Sequence, residues 1–141
     1  MRTRNDLSSG WAAWELVYRD ASGDYTVTPF SDTLANGSDQ LAALNRMSMV
    51  DEMGWPKAMQ LKIGKRKGKR RIVKKDEHIY LLKCTPKCWR LYFYVRKRQF
   101  IYVHAVCKKG DAEDPSDGRI ARECYDGRAR CQIQPFVYPS N

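Results

Sequence analysis

Lysine, arginine, tyrosine and histidine are the residue types left to do chemistry in this chain of 141 residues. Its two histidines, His78 and His104, stand at no metal-ligand spacing. It has no phosphate-cradling glycine loop of the P-loop kind and no serine in a nucleophile elbow. Apart from Asp76 and Glu77 the acids are scattered outside the most basic stretch, which argues against a paired-carboxylate or two-metal nuclease. No metal or other cofactor is expected. Cationic side chains can still act on a phosphate. An arginine fork grips it through two parallel N–H bonds and stabilises charge developing on its oxygens. A desolvated lysine among other cations loses its proton more easily and can serve as a general base.

Charge placement points the same way. Lys62 to Arg98 hold 15 Lys/Arg against Asp76 and Glu77, a net +13, whereas the other residues hold 11 Lys/Arg against 14 acids, a net −3. A merely solvated surface would interleave both signs. A concentrated block attracts polyanions, whose condensed counterions are released on contact. The glycine-punctuated run Lys65, Arg66, Lys67, Lys69, Arg70 and Arg71 is read as a grip on a nucleic-acid backbone, too mobile for chemistry.

The rest of the composition bounds the class. With 43% apolar and 30% charged residues, the chain fits one soluble domain spanning 1–141. No run approaches the ~18 apolar residues of a membrane span, and no signal-like segment follows the first charges, so a cytoplasmic protein is expected. The five cysteines are odd in number and irregularly spaced, which favours free thiols in half-buried strands.

The elements that must position these groups follow from periodicity. Trp14 to Tyr18 and Asp24 to Thr28 read as strands around a turn signal, an N-terminal hairpin. A short helix is expected near Ser31 or Asp32. A longer one follows, capped by Ser38 or Asp39, with Leu41, Leu44, Met47, Val50 and Met53 as its apolar stripe and Gly54 to Pro56 as its stop. Met59 to Ile63 alternate like a strand, and residues 62–75 form a basic hairpin or loop. Three aromatic and β-branched runs, His78 to Cys84, Trp89 to Val95 and Phe100 to Val106, predict antiparallel strands. Asp114-Pro115 opens a last helix with Ile120, Ala121 and Cys124 on one face, ending near Gly127. Residues 131–141 form a closing strand or tail. The fold class is α+β, with a central antiparallel sheet.

Three segments carry a resemblance. They are Trp89-Arg90-Leu91-Tyr92-Phe93-Tyr94-Val95, then Phe100 to Lys109 with its His104-x-x-x-Lys108-Lys109 ending, then Asp114-Pro115. Their order resembles the core of the RelE/HigB toxins, in particular the phage-derived HigB-like branch. Trp14 to Tyr18 and Phe30 to Leu34 resemble that branch's opening strand and first helix, so the likeness spans roughly residues 14 to 125. It implies a RelE-like α+β fold and a type II toxin that cuts mRNA on the ribosome without a metal, using the RNA's own 2′-hydroxyl. It also implies a cognate antitoxin, often of helix-turn-helix type. Carried over, Arg90 matches the strand arginine for phosphate stabilisation, and Lys108 and Lys109 match the paired basic residues that contact the phosphate or take a proton. Lys83 stands where the branch often has arginine, a departure that loses the planar fork. His104 is the candidate for proton transfer, although its apolar strand equally suits a core histidine. Tyr92 could stack on an mRNA base if it faces the basic surface.

Two other readings share these residues. One is a non-catalytic, phage-derived module that binds RNA or inhibits a host protein. The other is the gyrase-poisoning branch of the same superfamily. Primer extension on translated mRNA and gyrase cleavage assays separate the three.

Overall fold

The computed structural model describes residues 9–18, 22, 28–61, 71–84, 89–108 and 115–139. Nine regular elements follow in chain order: β1 (Ala12–Val17), α1 (Phe30–Ala35), α2 (Gln40–Met53), β2 (Ile72–Lys74), β3 (Tyr80–Lys83), β4 (Trp89–Arg96), β5 (Gln99–Cys107), α3 (Pro115–Asp126) and β6 (Gln132–Pro135). The strands make one six-stranded sheet in the order β2-β3-β4-β5-β1-β6. The architecture is α+β as the periodicity predicts, and β3 to β5 form the expected antiparallel run, which β2, at the end of the 62–75 stretch expected as a basic hairpin or loop, extends by one strand. The whole sheet is nonetheless mixed, because β1 lies parallel to β5.

That pairing overturns the N-terminal hairpin. β5 takes one edge of β1 and β6 takes the other, antiparallel, so β1 has no ladder left for a hairpin partner. The expected second strand falls mostly outside the described residues. Residues 131–141 do supply the closing strand, as β6.

Strand alternation sorts the side chains into two layers. On one face Leu91, Phe93, Phe100 and Tyr102 pack with Phe30 and Leu34 of α1 and with Ala43, Met47 and Val50 of α2. On the other, Leu81, Tyr92, Tyr94 and Ile101 pack beneath Ala121 of α3. Each large side chain so buried contributes roughly 1.5–3 kcal/mol. The stripe of α2 differs from the predicted one. Ala43, Met47 and Val50 face inward, Leu44 and Met53 are half-buried, and Leu41 is 64% exposed. A strict three-residue spacing drifts around a 3.6-residue turn, so it cannot hold one face over fourteen residues.

Gly54 ends α2 with φ at +71°, a conformation costly for any other residue. The chain then folds into a 3-10 turn over Lys57–Gln60, where a strand from Met59 was expected. Local bonds from the Ala58, Met59 and Leu61 amides to Gly54, Pro56 and Ala58 carbonyls hold this turn, and they override the alternating pattern.

β4 and β5 are joined by two residues, Lys97 and Arg98, both left-handed at φ 44° and 63°. Further along, Tyr92 pairs with His104 but Phe93 pairs with Tyr102, which leaves Val103 as an extra residue, a β-bulge. In α3 the helix interior holds Gly118. A Cβ there would meet nothing within 4 Å, so packing does not require glycine at a position where it costs ~1 kcal/mol against alanine.

Among the described cysteines, Cys84, Cys124 and Cys131 are free as expected, but Cys107, at the end of β5, is disulfide-bonded. No helix among the described residues is long and apolar enough to cross a membrane.

Candidate active site

The bulge decides where His104 goes. Strict alternation after Phe100 and Tyr102 would send His104 into the α1–α2 layer. The extra residue at Val103 resets the phase, and the His104 ring instead lies against Tyr92, with centroids 5.6 Å apart, on the α3 side. There its Nε2 meets Asp117 Oδ1 of α3 at 2.9 Å. Lys108, just past β5, places Nζ 2.8 Å from the other carboxylate oxygen. One carboxylate thus binds two of the predicted catalytic side chains.

This centre is mostly covered, with side-chain exposures of 8% for Asp117, 19% for His104 and 25% for Lys108. Burial by itself pushes the Asp117 carboxyl up, but hydrogen bonds and charge from Lys108 and His104 outweigh it and hold the carboxyl below its ordinary value. Asp117 is the residue that sequence reasoning missed. An acid in the first turn of a proline-started helix reads as a partner of the helix dipole, so nothing in its spacing flags a contact with β5.

Arg90 lies on the same face. It alternates with Tyr92 and Tyr94 along β4 and pairs across the ladder with Lys83 on one side and Val106 on the other. Lys83, Arg90, His104 and Lys108 therefore gather at one end of one sheet face. Arg90 is only 6% exposed and Lys83 half-buried, so the guanidinium is held under cover rather than presented.

Two predicted contacts with RNA are corrected. Tyr92 is 1% exposed, packed as a strand aromatic, and cannot stack on a base. Arg71 is 2% exposed, its amide bonded to the Leu61 carbonyl and its own carbonyl taking the Lys83 amide. Burial, then the Arg46 charge, lowers its pKa, and it belongs to the interior rather than to a gripping loop. Lys65, Arg66, Lys67, Lys69, Arg70 and Lys109 lie outside the described residues.

Beside the centre a cleft of about 440 Å³ opens between α3 and the β2–β3 turn, lined by Lys75, Asp76, Tyr92, Gly118, Arg119 and Arg122. Asp76 Oδ1 shapes that turn by accepting the His78 and Ile79 amides, each at 2.9 Å. Those bonds and the Arg122 charge outweigh burial and lower its pKa. Arg122 reaches Asp76 at 3.4 Å, a second tie between α3 and the sheet. Further along, Tyr125 stacks on His78 and lies under the Arg128 guanidinium, 3.8 Å from the ring centroid. Among the described residues no group of three or more His, Cys, Asp or Glu stands ready to hold a metal ion.

The fold and site together define an α+β protein with a cationic, histidine-bearing centre on the covered face of a mixed sheet. Compared with family models, with curated proteins and with solved structures, the chain matches none.

Proposed function

We propose that this protein is a toxin-type endoribonuclease of the RelE/HigB kind, which cuts mRNA on the ribosome by attack of the RNA's own 2′-hydroxyl and is restrained by a cognate antitoxin. The observation that carries the reading is convergence. His104 Nε2 and Lys108 Nζ approach one anionic group at 2.9 and 2.8 Å, with Lys83 and Arg90 on the same face. A phosphodiester presents two oxygens much as a carboxylate does. With one there, neutral His104 takes the 2′-hydroxyl proton as that oxygen bonds to phosphorus. The bond to the 5′-oxygen breaks, and the Lys108 ammonium protonates the leaving oxygen. Arg90 offsets the charge gained by the phosphoryl oxygens. The basic stretch from Lys62 to Arg98, with its net +13, supports attraction to ribosomal and messenger RNA.

Primer extension on a message translated in an extract tests the reading. Discrete, ribosome-dependent cuts are expected, falling at least roughly 100-fold in His104→Gln and Lys108→Ala. Arg90→Ala is expected to abolish cutting and relieve growth arrest, with circular dichroism verifying the fold. Full cutting by these variants would remove the assignment.

Two observations favour the second reading, a non-catalytic RNA-binding module: Arg90 is covered, and Asp117 already engages His104 and Lys108. Intact mRNA together with salt-sensitive RNA binding would select it.

A further inference from the structure

We propose that Asp117 is a latch: an internal carboxylate that stands in for an RNA phosphate and keeps the cationic centre closed until RNA displaces it. The inference rests on the phosphodiester reading of the site and adds its regulation.

The geometry supplies the argument. Asp117 uses both carboxylate oxygens, one on His104 and one on Lys108, so it fills the anion position rather than bordering it. RNA cannot take those two donors while the carboxylate stays. The competitor sits on the first turn of α3, where a phosphate is also favoured by the helix N-terminus. The residue after Asp117 is Gly118, the weakest helix former short of proline, at a position where a side chain would touch nothing within 4 Å. That first turn is therefore softer than its packing demands. The cleft beside it is lined by three cations, Lys75, Arg119 and Arg122, against one carboxylate, Asp76, a balance that favours a polyanion next to the latch. Further hold on α3 lies beyond its first turn, in buried Ala121, in the Arg122 contact with Asp76 and in the Tyr125 stack on His78. The first turn can thus release without undocking the whole helix.

Two single substitutions pull in opposite directions. Asp117→Asn keeps the shape but removes the competing charge, and should tighten binding of a short 2′-O-methyl oligoribonucleotide roughly tenfold at low salt while lowering Tm. Gly118→Ala adds a methyl in open space, strengthens the turn, and should raise Tm while weakening the same binding roughly three- to fivefold. The 2′-O-methyl probe cannot be cut, so affinity is read apart from cleavage. Unchanged or weaker affinity in folded Asp117→Asn, or a Gly118→Ala protein of higher Tm with undiminished affinity, would overturn the latch. Opposite affinity shifts in a protein that cuts no RNA would uphold the latch and remove the nuclease.

Discussion

At the scale of single residues, Asp117 has the most consequences. Its carboxyl is held below the ordinary value near 3.9, so its stabilising effect is fully present above that pH and is lost as pH falls through the lower folded-state value. Urea melts of wild type and Asp117→Asn should therefore differ by about 1–3 kcal/mol at pH 6 and converge as the pH falls below the ordinary carboxyl value and the Asp117 carboxylate takes up its proton. A gap that does not narrow with falling pH would mean that the carboxylate charge is not what binds α3 to β5. The predicted side chains were legible unevenly. Arg90, His104 and Lys108 were found by their motif and do share a face. Tyr92 and Arg71 were misjudged because residue type does not reveal cover, and both are buried.

Elements were read best where one kind of patterning acted alone. The three aromatic strands and the proline-started helix stand where alternation and capping put them. The turn over Lys57–Gln60 and the parallel placement of β1 were not legible, because local hydrogen bonds and distant strand pairing respectively decide them. The β4–β5 hairpin was expected as a short connection, but nothing in Lys97-Arg98 announces two consecutive left-handed residues, a geometry favoured by Asn-Gly. A non-glycine residue there costs on the order of 1 kcal/mol. Lys97→Asn, which tolerates that conformation and keeps the Arg98 bond to the Ser9 carbonyl, should raise stability by about 0.5–1 kcal/mol in thermal melts. An unchanged or lower Tm would mean that Lys97 is not strained.

At the scale of the molecule, the described part of the basic block, continuous in the sequence, is divided in space. Lys83 and Arg90 lie at one end of β4, where Lys108 joins them from outside the block, and Arg96, Lys97 and Arg98 lie at the other, about 20 Å away along β4. Linear charge counts point to polyanions as the expected partners but carry no sign of this separation. The covering of the cationic end by α3 was equally hidden, since it depends on contacts between residues that the sequence keeps apart.

The surplus residue in β5 works as a parity shift, and it makes two neighbouring deletions unequal. Excising Val103 would leave an unbroken ladder in which every later side chain keeps its present side. Excising Ala105, only two places on, would also close the ladder with Val106 and Lys108 in place, but would turn His104 to the opposite side and part its ring from the Asp117 carboxylate. The shorter chain lacking Val103 should melt within a few degrees of the parent, whereas the one lacking Ala105, with an imidazole pushed into the apolar α1–α2 layer, should melt well below it. Equal behaviour of the two would mean that the count of residues in this strand does not set which way His104 faces.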